Sequence, residues 1–142
     1  MDLVIIGTGM YVSGRKTDGY GTILPAVLEF QRQNKIIKEI KIVGTNSKRT
    51  QEAKEKYEKL VSKMGVNLTA SFYPKNNDSI FEYKNVVDCL KKPSCIIVAV
   101  PDNLHFEILK YVIERNHHAL VVKPLTPTLE EGKKLVQLQK KF

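Results

Sequence analysis

Cys95-Ile96-Ile97-Val98-Ala99-Val100-Pro101-Asp102-Asn103-Leu104-His105 is the stretch on which the fold of this chain turns. Six apolar residues, four of them β-branched, run without interruption into a proline, and a polar pair then opens a new amphipathic segment. A continuous apolar run of this length, closed by a breaker, reads as a strand buried on both faces of a parallel sheet. Four further runs share its character: Leu3–Ile6, Ile40–Val43, Leu68–Tyr73 and Ala119–Val122. Their bounding residues are Gly, Pro, Asn or Asp, which end strands.

Between the runs the period changes to that of a helix. Ala53, Tyr57, Leu60, Val61 and Met64 form one apolar stripe with Lys and Glu opposite. Val86, Val87 and Leu90 make a shorter stripe ahead of Pro93, and Leu109, Val112 and Ile113 line another after Pro101. The last helix is expected to start at Thr128, with Glu131 completing a capping box and Leu135, Val136 and Leu138 turned inward. The first is expected near Thr22, which leaves Pro25 in a first turn where no N–H is needed. Strand and helix alternating five times predict an α/β, doubly wound parallel sheet, the Rossmann fold, as a single domain over residues 1–142.

The bulk composition agrees. A chain of 142 residues with 42% hydrophobic and 27% charged side chains has the makings of a soluble globular domain with a sizeable core. No apolar run is long enough to cross a bilayer, so no membrane partner is expected. The start, Met1-Asp2-Leu3-Val4, lacks the basic flank of a signal peptide. Cys89 and Cys95 suit neither a metal site nor a disulfide framework and fit a reducing cytoplasm, the expected location. Asn67-Leu68-Thr69 and Asn77-Asp78-Ser79 match the glycosylation pattern, but without a secretory signal they read as chance matches. The net charge of +8 raises nucleic acid as a partner. The lysines are dispersed and interleaved with Glu at helical spacing, however, so a solvated face is expected and nucleic acid is not.

Gly7-Thr8-Gly9 follows the first strand directly. In a strand–turn–helix setting the first glycine permits a tight turn, and the second lets the backbone approach a pyrophosphate. Gly7, Thr8, Gly9, Met10 and Tyr11 are therefore candidate cofactor-binding residues; a tight turn alone is the other reading of so short a motif. Val12 stands where a third small residue would let the helix press on the strand. The chain then runs through Ser13–Thr22, carrying Arg15 and Lys16, as either an added loop over the site or a mobile surface loop.

After the second strand, where a carboxylate would accept hydrogen bonds from an NAD ribose, the sequence reads Val43-Gly44-Thr45-Asn46-Ser47-Lys48-Arg49. Asn46 replaces the carboxylate, and Ser47 with Lys48 or Arg49 would suit a 2′-phosphate. Asn46, Ser47 and Arg49 are thus candidate cofactor-binding residues, with NADP(H) favoured over NAD(H). The other reading is a polar loop leading into a solvated helix.

The strand ending in Pro101, the Asn103-x-His105 that opens a helix, and a later strand ending in Lys123-Pro124 together resemble the Gfo/Idh/MocA oxidoreductases. This is the glucose–fructose oxidoreductase and inositol dehydrogenase family, and the likeness runs from Gly7 to the last helix. It implies that Val100, Pro101 and Asn103 turn beneath the nicotinamide ribose. It places His105 near the cofactor, where a capping or packing histidine is the alternative, and Lys123-Pro124 beside the nicotinamide. Lys123 would be the catalytic residue, its ammonium donating to the substrate oxygen and stabilising alkoxide charge during hydride transfer. Burial and the nicotinamide charge are expected to disfavour its charged form. The implied substrate is a sugar, polyol or related metabolite. Val122 departs from the family's pattern by standing where Glu usually precedes the lysine. The family's second, mostly β domain, which holds the substrate pocket and usually a histidine acid/base, has no counterpart here. The chain is therefore expected to be one domain of a longer, homo-oligomeric enzyme, inactive alone. His117 and His118, at the start of the fifth strand, cannot replace that histidine. A free-standing nucleotide-sensing module is the alternative function.

Overall fold

The five apolar runs become the five strands of one parallel sheet in the computed structural model, which describes all residues from Met1 to Phe142. They are β1 (Asp2–Ile6), β2 (Glu39–Val43), β3 (Thr69–Tyr73), β4 (Cys95–Val98) and β5 (His118–Val121). Their order across the sheet is β3-β2-β1-β4-β5. The chain moves outward from β1 through β2 and β3, then returns to the other side of β1 for β4 and β5. The direction of winding therefore reverses between β1 and β4, the place where open α/β sheets bind ligands.

Strand alternation explains why the runs are apolar throughout. Leu3 and Ile5 point to one face and join Ile40, Ile42, Leu24, Leu28, Tyr57 and Leu60 in one core. Val4 and Ile6 point to the other and join Ile96, Val98, Val86, Val87, Leu109 and Val112. Each fully buried aliphatic side chain contributes on the order of 1.5–3 kcal/mol relative to exposure, so neither face tolerates a polar substitution.

The chain forms six α-helices: α1 (Met10–Ser13), α2 (Ile23–Asn34), α3 (Ser47–Met64), α4 (Glu82–Asp88), α5 (His105–Ile113) and α6 (Leu129–Gln139). The α3 helix is capped at both ends, by the Asn46 side chain accepting from the Arg49 N–H and by left-handed Gly65. At α6 the Thr128 hydroxyl accepts from the Glu131 N–H and donates to the Glu131 carboxylate, so the box closes on the hydroxyl.

Two expectations need correction. No helix was expected before Thr22, yet a single turn, α1, follows the glycines before the chain leaves through left-handed Gly14. Val12 is fully buried in the core of that face, and α1 ends one residue after it, which accommodates a bulky third position. Val136, expected to face inward, is 51% exposed. The α6 helix rests on α5 rather than on the sheet, and Leu135 is the one residue it buries.

At the opposite end of the sheet, His117 is buried, and its Nδ1 accepts from the Ser94 N–H at 3.1 Å. Its Nε2 lies near the Val87 carbonyl without closing a hydrogen bond. Burial, reinforced by Lys92, holds this imidazole below its ordinary range.

Candidate functional site

Parallel pairing brings the loops that follow all five strands to one edge of the sheet. There the two glycines of the first loop part company. Gly7 has φ +126°, and a Cβ there would collide with the Ala99 carbonyl oxygen and lie 2.9 Å from its carbon. Its N–H donates to the Val43 carbonyl at 2.7 Å, while the Ala99 N–H donates to Ile6. Gly7 is thus wedged at the junction of β1, β2 and β4. Gly9, the N-cap of α1, has φ −78°, and nothing lies within 4 Å of where its Cβ would be. One glycine is required by packing; the other keeps a space open. Thr8 is buried, and Met10 and Tyr11 are exposed at this edge.

The Ser13–Thr22 segment is tied down on α3. Lys56 Nζ donates to the carbonyls of Thr17 at 2.7 Å and Gly19 at 2.8 Å. Lys56 and Lys63 also sit over the Tyr20 ring. Arg15 and Lys16 share a groove with Glu52, Glu55 and Lys59. The segment lies on the α3 side.

At the start of α3 the structure supplies a carboxylate that the local sequence lacks. Asp78, in the loop between β3 and α4, accepts from the Ser47 N–H at 2.7 Å and the Ser47 hydroxyl at 2.9 Å. Its other oxygen accepts from the Asn46 side-chain amide at 2.5 Å. The hydrogen bonds from Ser47, aided by Asn46 and by the nearby Arg49 charge, hold its carboxyl below the usual range. The Ser79 N–H, donating to the Thr45 carbonyl, pins the loop. Thr45, Asn46, Arg49, Asp78, Ser79, Ile80 and Phe81 enclose an open groove of about 520 Å³. Ile80 and Phe81 are 67% and 56% exposed, an apolar wall beside a charged floor. Both Ser47 donors are therefore engaged by Asp78.

After β4, Val100 is half-buried, and Pro101, Asp102 and Asn103 form an exposed turn closed by the Leu104 N–H donating to Pro101. His105 is fully buried. Its Nδ1 lies 2.8 Å from the Pro124 carbonyl and its Nε2 3.0 Å from the Val100 carbonyl. The ring therefore stitches the end of β4 to the turn after β5, and a neutral imidazole can donate to only one of the two acceptors. Its environment is that of a packing histidine that holds the Lys123-Pro124 turn. Lys123 is exposed in this chain, so the burial expected for it is not found. Val122 is half-buried, and its N–H continues the ladder onto the Val98 carbonyl.

The fold brings Gly7–Tyr11 and Val100–Asn103 onto the two loops flanking the winding reversal, with Asn46–Arg49 after β2 and Lys123-Pro124 after β5 one strand further out on either side. Sequence reasoning missed Asp78, Ile80 and Phe81. The partner of Asp78, Ser47, lies 31 residues before it, and no spacing rule links the two.

The sequence pattern of the Gfo/Idh/MocA oxidoreductases, described as oxidoreductase family, NAD-binding Rossmann fold, matches residues 1–142. An uncharacterized oxidoreductase of Schizosaccharomyces pombe is 36% identical over 70 residues, 48% of this chain and 18% of that protein. A 3-ketoreductase from Actinomadura kijaniata, in complex with NADP and TDP-benzene, matches 99% of this chain and 34% of its own. Its TM-score is 0.61 and its sequence identity 17%. The WlbA dehydrogenase from Bordetella pertussis, in complex with NADH and UDP-GlcNAcA, matches 98% of this chain and 33% of its own. Its TM-score is 0.59 at 15% identity. What these two share with the chain at such identities is the fold. The chain spans about a third of the length of the solved structures it matches.

Proposed function

Because the chain belongs to the Gfo/Idh/MocA oxidoreductase family as an NAD-binding Rossmann domain, we propose that it holds a nicotinamide dinucleotide across the carboxyl edge of its sheet and serves hydride transfer. The observation that carries this reading is the pair of glycines at the winding reversal. Gly7 is locked against Ala99, while Gly9 leaves an empty approach beside it. In this reading the backbone of Gly7, Thr8, Gly9, Met10 and Tyr11 holds the pyrophosphate, and Asn46, Ser47 and Arg49 face the adenosine ribose. Ile80 and Phe81 offer the adenine an apolar wall. Val100, Pro101 and Asn103 pass beneath the nicotinamide ribose. His105 keeps Lys123-Pro124 in register with them. The bound dinucleotide would supply the hydride acceptor or donor.

Lys123 is the proposed catalytic residue. Its ammonium donates to the oxygen of a hydroxyl or carbonyl substrate and stabilises negative charge on that oxygen in the transition state. A sugar, polyol or related metabolite is the proposed substrate class. The proposed assembly is a longer, cytoplasmic, homo-oligomeric protein with a second domain closing over Lys123, which would also provide the burial that Lys123 lacks here. The cations Lys48 and Arg49 speak for NADP(H), and Asp78, which holds Ser47, speaks for NAD(H).

Isothermal titration of this chain with NADH and NADPH tests the binding half: saturable binding of at least one is expected, and binding of neither refutes it. Lys123→Ala in a protein carrying both domains tests the catalytic half. Turnover is expected to collapse while dinucleotide affinity persists; unchanged turnover would favour a nucleotide-sensing module instead.

A further inference from the structure

We infer that Asp78 is the residue that sets cofactor specificity, standing in from the loop after β3 for the ribose-binding carboxylate that β2 does not provide, so that the site accepts NAD(H) and rejects the 2′-phosphate of NADP(H). The inference rests on the dinucleotide reading above. Asn46 occupies the position where a carboxylate would meet the ribose, and its amide is turned onto Asp78 Oδ2. The N–H and hydroxyl of Ser47, two of the donors that a 2′-phosphate would have used, are both spent on Asp78 Oδ1. The positive end of α3 is thereby satisfied by the chain's own anion.

The remaining hydrogen-bonding capacity suits a hydroxyl. A carboxylate offers about four acceptor sites, and Asp78 uses three on Asn46 and Ser47. One remains for a ribose O–H approaching from the groove. A phosphate monoester brings about −1.5 to −2 charge and no useful donor at neutral pH, so it would meet Asp78 as like against like. Arg49 is exposed on the groove wall and makes no ion pair with Asp78, though its charge helps hold the Asp78 carboxyl low. The groove itself has a partner's shape independently of Asp78: its exposed Ile80 and Phe81 lie next to the carboxylate, as an adenine lies next to its ribose.

The test is calorimetric titration of the wild-type chain, Asp78→Asn and Asp78→Ala with NADH and NADPH. Wild type is expected to bind NADH at least about tenfold more tightly than NADPH, the scale of one partly screened charge repulsion. Asp78→Asn removes the charge at nearly constant shape and should shrink that ratio by about tenfold, mainly through tighter NADPH binding. Asp78→Ala should shrink it too, while also weakening NADH. A urea midpoint for each variant checks folding. Tighter NADPH than NADH binding by wild type, or a ratio that neither variant changes, would overturn the assignment of Asp78 alone. Binding of neither dinucleotide by folded wild type would overturn the cofactor reading and this inference with it.

Discussion

Replacing each glycine of the first loop by alanine should separate stability from binding. At Gly7 two penalties combine. The backbone at φ +126° is strained for any L side chain, at about 1–3 kcal/mol. The new methyl also meets a carbonyl that cannot withdraw, because the Ala99 N–H is bonded to Ile6 and the Gly7 N–H to Val43. Overpacking of this kind costs about 1–3 kcal/mol. Together Gly7→Ala should lose roughly 2–6 kcal/mol out of a total near 5–15 kcal/mol. With a urea slope of about 2 kcal/mol/M, the midpoint falls by about 1–3 M. Gly9 has ordinary φ and open space around its Cβ position, so Gly9→Ala should change stability by less than about 1 kcal/mol. Its methyl would instead project where the pyrophosphate is proposed to approach, and NADH affinity should drop at least about tenfold, or roughly 1.4 kcal/mol. Far-UV circular dichroism in urea reads the first effect and calorimetry the second. An unmoved midpoint for Gly7→Ala, or equal destabilisation by both variants, would refute the division of labour.

Two further outcomes follow from the histidines. His105→Ala removes a fully buried ring that bridges the Val100 and Pro124 carbonyls and should cost about 2–4 kcal/mol. Hydrogen exchange should accelerate at Val122, Lys123 and Leu125; unchanged protection there would show that the ring does not hold the turn. His117, with its pKa lowered by burial and by Lys92 from the ordinary 6.5, destabilises the fold when protonated. The unfolded chain then binds the extra proton first, so stability is complete above about pH 6.5 and declines as pH falls below it. Urea midpoints between pH 7.5 and 5.5 should show this decline in wild type and lose most of it in His117→Gln; identical slopes would sink the argument.

The legible parts of this protein are those written in neighbouring residues. Leu3 to Ile6 announce a strand with two buried faces, because each residue's side is set by its neighbour. Lys123-Pro124 and Pro101-x-Asn103-x-His105 are likewise local, and both follow strands at the carboxyl edge of the sheet. Asp78 was illegible because its position depends on β2 and β3 pairing, with Val43 opposite Tyr73, before the two following loops can meet. In the sequence it is only the middle of Asn77-Asp78-Ser79, read as a chance match to the glycosylation pattern. Val136 misled for a related reason: helical periodicity reports that a face is apolar, but not whether the neighbour is wide enough to cover it. For His105, only the Pro124 carbonyl, 19 residues on, reveals what its ring does.

The exposed margin of the sheet at β5 has a practical consequence. His118, Ala119 and Leu120 are all open to solvent, Leu120 at 60%, and the strand His-Ala-Leu-Val carries no lysine, glutamate or proline to discourage docking. An apolar strand with one unpaired row of N–H and C=O groups is a template for another chain's backbone. Concentrated samples of this polypeptide should therefore fail by edge-to-edge stacking at β5. Leu120→Lys is the change that would keep them monodisperse without touching the nucleotide groove.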